Sequence, residues 1–209
     1  MAMKLSILTV VLSLPLIPAR VFADGAQVVS APIAIYMSFD DAHSEYAVGA
    51  MKREVESLTK ASGFDLHWRS LGGQRVEETF SDLMVVKFHG KCNMDGIQLL
   101  FNELGPEGEG GALGSTKTSN GQVLPFSELE CDRIRRSIAP LAVGYSREER
   151  ESLLGRAMGR VLAHELFHVF ANTDKHGHEG VAKTTYSRKD LVAEGFEFES
   201  QDAKRIQRR

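Results

Sequence analysis

Between Ser146 and Asn172 apolar side chains recur on most sides of a helix: Leu153, Leu154, Met158, Val161, Leu162, Phe167 and Val169. A helix apolar over much of its circumference cannot lie on a surface, so other layers must wrap around it. Ser146 and Glu149 supply an S-x-x-E capping box at its start. Asn172, a residue type that tolerates left-handed backbone, supplies its stop after Ala171. Any fold of this chain therefore has this helix near its centre.

Inside that apolar run sits His164-Glu165-Leu166-Phe167-His168. Residues four apart share a helical face, so the two imidazoles can grip one zinc ion while Glu165 reaches a water beside it. Burying two imidazoles and a carboxylate without a metal or matching partners is costly. Four of the seven histidines fall between residues 164 and 178, which concentrates ligand-bearing side chains around the motif. A catalytic zinc ion takes three protein ligands and leaves a position open. His176 is favoured as the third, because imidazole is the more usual donor and the turn after Asn172 gives the chain room to return. Asp174 and His178 are the alternative donors, and Asp174 could instead orient a ligand imidazole from behind. Tyr186 is a candidate for stabilising an oxyanion, with simple packing as its ordinary role.

Upstream, Pro32 to Phe39 has the β-branched and aromatic character of a strand. Asp40-Asp41 then open an amphipathic helix to about Ser62, with Tyr46, Val48, Ala50, Met51, Val55 and Leu58 on its apolar face and Gly63 as C-cap. Phe64 to Leu71 alternates as a second strand, and Leu83 to His89 reads as a third, largely buried one. Strand, helix, strand predicts a crossover and a parallel pair. Glycines dominate from Leu104 to Gly121, without the G-K-[ST] ending of a phosphate loop. Asn120-Gly121 predicts a hairpin turn before Gln122 to Phe126.

Residues 1–23 read as an export signal: Lys4, an apolar stretch from Leu5 to Ile17, and a small-residue cleavage site at Val21-Phe22-Ala23. Pro15 and Pro18 break that stretch, which is too short to span a bilayer, so no stable membrane anchor is expected. The mature chain, residues 24–209, is expected to be one domain that is secreted or periplasmic. Losing Lys4 and Arg20 moves the formal net charge from -3 to -5, which argues against nucleic acid as a partner. Lys204-Arg205 and Arg208-Arg209 read as a solvated terminal helix face. An oxidising compartment favours a disulfide between the two cysteines, Cys92 and Cys131. The chain-entropy model values the loop so closed at roughly 4 kcal/mol.

The H-E-x-x-H pattern with a third His eight residues on, followed by Gly180-Val181-Ala182-Lys183, resembles small exported bacterial proteins of zincin type. Leu113 to Thr116, Val123 to Phe126 and Cys131-Asp132-Arg133 also resemble that group. Such proteins are similar to metzincins, with Ala182 standing where metzincins carry the methionine of their Met-turn. The resemblance implies an α+β fold in which a small twisted mixed sheet, with an antiparallel edge strand, packs on the central active-site helix. It also implies that extended peptide binds along that edge, here Thr116 to Phe126. The expected activity is zinc-dependent hydrolysis of peptide or protein, with His164, His168 and His176 as ligands and Glu165 as general base. The alternative is an inactive zinc-binding domain that holds peptide or protein along the same strand. Zinc hydrolysis of a non-peptide amide ranks last, because the Cys ligand of deformylases is missing.

Overall fold

The computed structural model describes residues 32–73, 78–97 and 111–206. Residues 1–23, expected to be an export signal, residues 24–31, the glycines Gly105, Gly108 and Gly110, and Arg208-Arg209 lie outside the described residues. In chain order come β1 (Pro32–Phe39), α1 (Glu45–Thr59), a 3-10 turn (Lys60–Ser62), β2 (Asp65–Ser70), β3 (Asp82–His89), β4 (Gly114–Ser119) and β5 (Gln122–Glu130). There follow α2 (Cys131–Ile138), a 3-10 turn (Ala139–Ala142), α3 (Arg147–Phe170), a 3-10 turn (Gly180–Ala182), α4 (Arg188–Val192) and α5 (Ser200–Ile206). No helix among the described residues is long and apolar enough to cross a membrane.

The strands form one five-stranded mixed sheet in the order β2-β1-β3-β5-β4. β1 pairs in parallel with β2 and β3, and β3 in parallel with β5. β4 closes one edge, antiparallel to β5 through a turn in which Asn120 and Gly121 both have positive φ, 50° and 76°. Positive φ at both central positions is what the Asn-Gly pair predicts. The α+β class expected from the sequence describes this architecture.

Inward residues alternate along the strands: Ile33, Ile35 and Met37 on β1, Met84, Val86 and Phe88 on β3, and Leu129 on β5 are buried. They form one core with α1 and α3. Every residue of α3 from Ala157 to Phe170 is buried, as the nearly continuous apolar circumference requires. Its capping box is complete, Glu149 N donating to Ser146 Oγ and Ser146 N to Glu149 Oε2. Two glycines let α1 lie directly on α3. A Cβ at Gly155 would stand 2.4 Å from the Ala47 carbonyl oxygen, and one at Gly159 would stand 2.7 Å from Glu54 Cβ.

Several sequence expectations shift. The first helix begins at Glu45 with Ser44 as N-cap, because the Asp40 carboxylate is engaged by His89 Nδ1 at 2.7 Å and Gly90 N at 2.9 Å. Tyr46 is 52% exposed, so the apolar face runs instead through Ala47, Val48, Ala50, Met51 and Val55. β3 is buried on one face alone, and Leu83 is 43% exposed. α2 has no counterpart in the sequence reading. Cys92 and Cys131 form the expected disulfide, joining the segment after β3 to the first residue of α2.

Candidate metal centre

The centre is assembled where α3 ends. Ala171 caps the helix, and Asn172 turns left-handed, with φ 45°. The next residue, Thr173, donates its N–H back to the His168 carbonyl at 3.1 Å and accepts, on its own carbonyl, a bond from His168 Nδ1 at 2.7 Å. The buried turn at Gly180–Ala182 passes beneath His164, whose Nδ1 donates to the Val181 carbonyl at 2.8 Å.

These two carbonyls fix the chemistry of the pair. A carbonyl accepts only, so each Nδ1 carries the proton and each Nε2 is left with a lone pair. The two Nε2 atoms are 3.0 Å apart. Lone pairs at that separation repel unless a cation lies between them. Burial pushes His164 down to about 4 despite the Val181 bond, and burial likewise lowers His168. Both are therefore neutral at pH 7, the form that binds a metal.

His176 is brought to the open side of this pair. One donor atom from each of His164, His168 and His176 lies within 4.8 Å of the others, a set that could hold a metal ion. Among the described residues neither Asp174 nor His178 belongs to such a group. Asp174 lines the cleft above the histidines, and its charge acts on His168.

Glu165 faces the same cleft, a cavity of about 530 Å³ lined also by Leu113 to Thr116, Val123, Val161 and Tyr186. It is 4% exposed, and burial raises its carboxyl to about 7, with a hydrogen bond from Thr116 working in the opposite direction. That bond, Thr116 Oγ1 to Glu165 Oε2, is 2.6 Å long. The other oxygen, Oε1, lies against Gly114, where a Cβ would come within 2.6 Å of it. A carboxyl titrating near neutrality beside a trio of metal-competent imidazoles can take up and release a proton at pH 7.

Tyr186 lines the cleft, but its hydroxyl donates to the Val181 carbonyl, the acceptor that also holds His164. Burial raises its pKa well above the usual phenol value. In this position it braces the Val181 carbonyl that holds His164. The C-terminal α5 reaches the same turn: Arg205 donates to Thr173 Oγ1 at 3.1 Å and stacks over Phe167. Arg205 is thus not the free solvated cation that the sequence suggested.

Gly114, Ser127 and the carbonyls of Thr173 and Val181 were not singled out as site residues by sequence, and Thr116 was expected on the peptide-binding edge, not against Glu165. A signal for Ser127 exists, since it shares the inward phase of β5 with Leu129 and is a hydroxyl in an apolar row. No family model matches the chain, and no curated protein matches it either.

Proposed function

We propose that the protein is an exported zinc-dependent peptidase of zincin type. The observation that carries this reading is the convergence of three histidines beside a buried carboxyl, in a cleft bordered by a sheet edge. Zinc suits the donor set, because two Zn–N bonds at the tetrahedral angle separate their nitrogens by roughly 3.3 Å. The helical pair stands at 3.0 Å. All-imidazole sites with an open side are typical of catalytic zinc, and a purely structural site would have no use for Glu165.

When bound, zinc lowers the pKa of a water that it carries and polarises the carbonyl to be attacked. His164 and His168, locked by the Val181 and Thr173 carbonyls, hold their lone pairs in place without reorganisation, and His176 completes the set from the cleft side. Glu165 takes the proton of the attacking water and later gives it to the leaving amine. Burial raises the carboxyl in the metal-free protein and a bound dication would favour its ionised form, the form that accepts the proton. Among the described residues β4 pairs with β5 on one side only, and its other edge is suited to add an extended peptide as a further strand.

The test is zinc content and hydrolysis of a peptide library by the chain from residue 24, beside Glu165→Ala. Bound zinc with turnover in the unaltered chain and at least about a thousandfold less in the variant supports peptidase action. Zinc bound with no turnover in either protein supports a peptide-holding domain instead. For the ligands, His176→Ala is expected to weaken zinc binding far more than Asp174→Ala, and the reverse order would replace His176 by Asp174.

A further inference from the structure

Two hydroxyls interrupt the inward, apolar face of the sheet at the point nearest Glu165. Thr116 on β4 and Ser127 on β5 are directly opposite partners in the antiparallel ladder. Ser127 is 2% exposed, and a hydroxyl so buried must find a partner. Its Oγ is 2.7 Å from Thr116 Oγ1, which is 2.6 Å from Glu165 Oε2 and, more weakly, 3.5 Å from the Glu165 carbonyl. A carboxylate only accepts, so Thr116 donates to Glu165, and Ser127 then donates to Thr116.

The ladder shifts register immediately after this pair, between Thr116 and Thr118. Such a bulge beside a site re-aims the strand, and here the inward phase of β4 consists of Gly114 and Thr116. The two divide the carboxyl between them: Thr116 bonds Oε2, while Gly114 leaves room for Oε1. Oε1 makes no hydrogen bond to the described residues and opens on the cleft.

We infer that Thr116, backed by Ser127, is the positioning residue that fixes the Glu165 carboxyl and presents Oε1 to the reacting water. This rests on the peptidase reading for its consequence, although the contact itself does not. The edge strand proposed to take the substrate would thus also set the base, and the two must stay in register for catalysis. Thr116 bears on the reaction through the Glu165 carboxyl that it holds.

The test uses Thr116→Val, Thr116→Ser and Ser127→Ala in the chain from residue 24. The expected result for Thr116→Val is a fall in kcat of at least about tenfold, with KM within twofold and zinc content unchanged, since misplacing a reacting group by an ångström costs up to about a hundredfold. Thr116→Ser, which keeps the hydroxyl, is expected to recover most of the loss, and Ser127→Ala to lose less than Thr116→Val. A second readout needs no activity: in zinc-free protein, the urea midpoints of Thr116→Val and Glu165→Ala are expected not to add in the double variant. Unchanged kcat in Thr116→Val, or a loss that Thr116→Ser does not recover, overturns the inference. Should the unaltered chain cleave no peptide, the peptidase reading falls separately, and additive midpoints would then sink this inference on their own.

Discussion

At the scale of single residues, the centre sets two titrations against each other. In the zinc-free protein His164 is held at about 4, below its ordinary 6.5, so the folded state binds fewer protons than the unfolded chain between those values. Its contribution to stability is present above pH 6.5 and is lost as pH falls towards 4. Glu165 is raised from 4.5 to about 7, so across that window the folded state binds more protons, and its contribution is lost as pH rises. Glu165→Gln removes the second effect and leaves the first. The zinc-free variant should therefore melt above the unaltered chain at pH 8, by an amount worth no more than about 3 kcal/mol, and this advantage should vanish by pH 4.5. An equal difference at both pH values would show that Glu165 is not buried as charge. Gly114 gives a second prediction, because a Cβ there would meet Glu165 Oε1 at 2.6 Å and Val161 Cγ1 at 2.8 Å. Gly114→Ala should lower peptide turnover by up to about a hundredfold while zinc stays bound; full turnover would show that the strand has slack. The ligand spacing is legible in sequence because four residues are one helical turn. Thr116 and Ser127 are not, because their meeting depends on which residues two strands place opposite each other.

At the scale of elements, α3 is the axis, and its closest partner is α1. Alanine is ordinarily worth up to about 1 kcal/mol more than glycine inside a helix. At Gly155 that gain is overrun, because the Cβ would meet the Ala47 carbonyl, Ala50 Cβ and the Met51 nitrogen at 2.4, 2.4 and 3.0 Å. Two of those atoms are backbone, so α1 itself must move, a change that typically costs about 1–3 kcal/mol. Gly49 on α1 is the contrast, since its Cβ would meet only Arg53 Nη1, at an ordinary 3.5 Å. Urea midpoints should fall for Gly155→Ala and rise for Gly49→Ala. A rise in both would mean that propensity, and not helix contact, governs this interface. The start and stop of α3 were readable because a capping box and an αL-tolerant Asn are local devices. The start of α1 was misread for a non-local reason: Asp40, a good helix opener by type, is drawn away by His89 and Gly90, about fifty residues on. α2 escaped notice because Asp132, Arg133, Arg135 and Arg136 mask its short apolar side, Ile134 and Ile138.

At the scale of the whole molecule, one cross-link is in place and the proposed metal would add a second in a different region. The disulfide ties the segment after β3 to α2 across a separation of 39 residues, and a metal on the three histidines would tie the end of α3 to the turn that follows. Both were visible in sequence, the first by counting cysteines and the second by spacing. That both bear on one helix was not visible: Cys131 Sγ lies 3.9 Å from Met158 Sδ, six residues before His164. Six residues rise about 9 Å along a helix, a distance at which perturbations ordinarily add. Zinc at a thousand times its dissociation constant should raise stability by up to about 4 kcal/mol, less whatever the unfolded chain gains by binding zinc through the same three histidines. Reducing the disulfide should remove up to about 4 kcal/mol by freeing the unfolded chain. Melting the protein in all four combinations, with zinc or chelator and with or without reductant, should give two losses that sum. A zinc effect that disappears on reduction would mean that the middle of α3, where Met158 meets Cys131 of α2, must be anchored before its histidine end can form, and the helix would then fold as a single switch rather than as a rod held at two points.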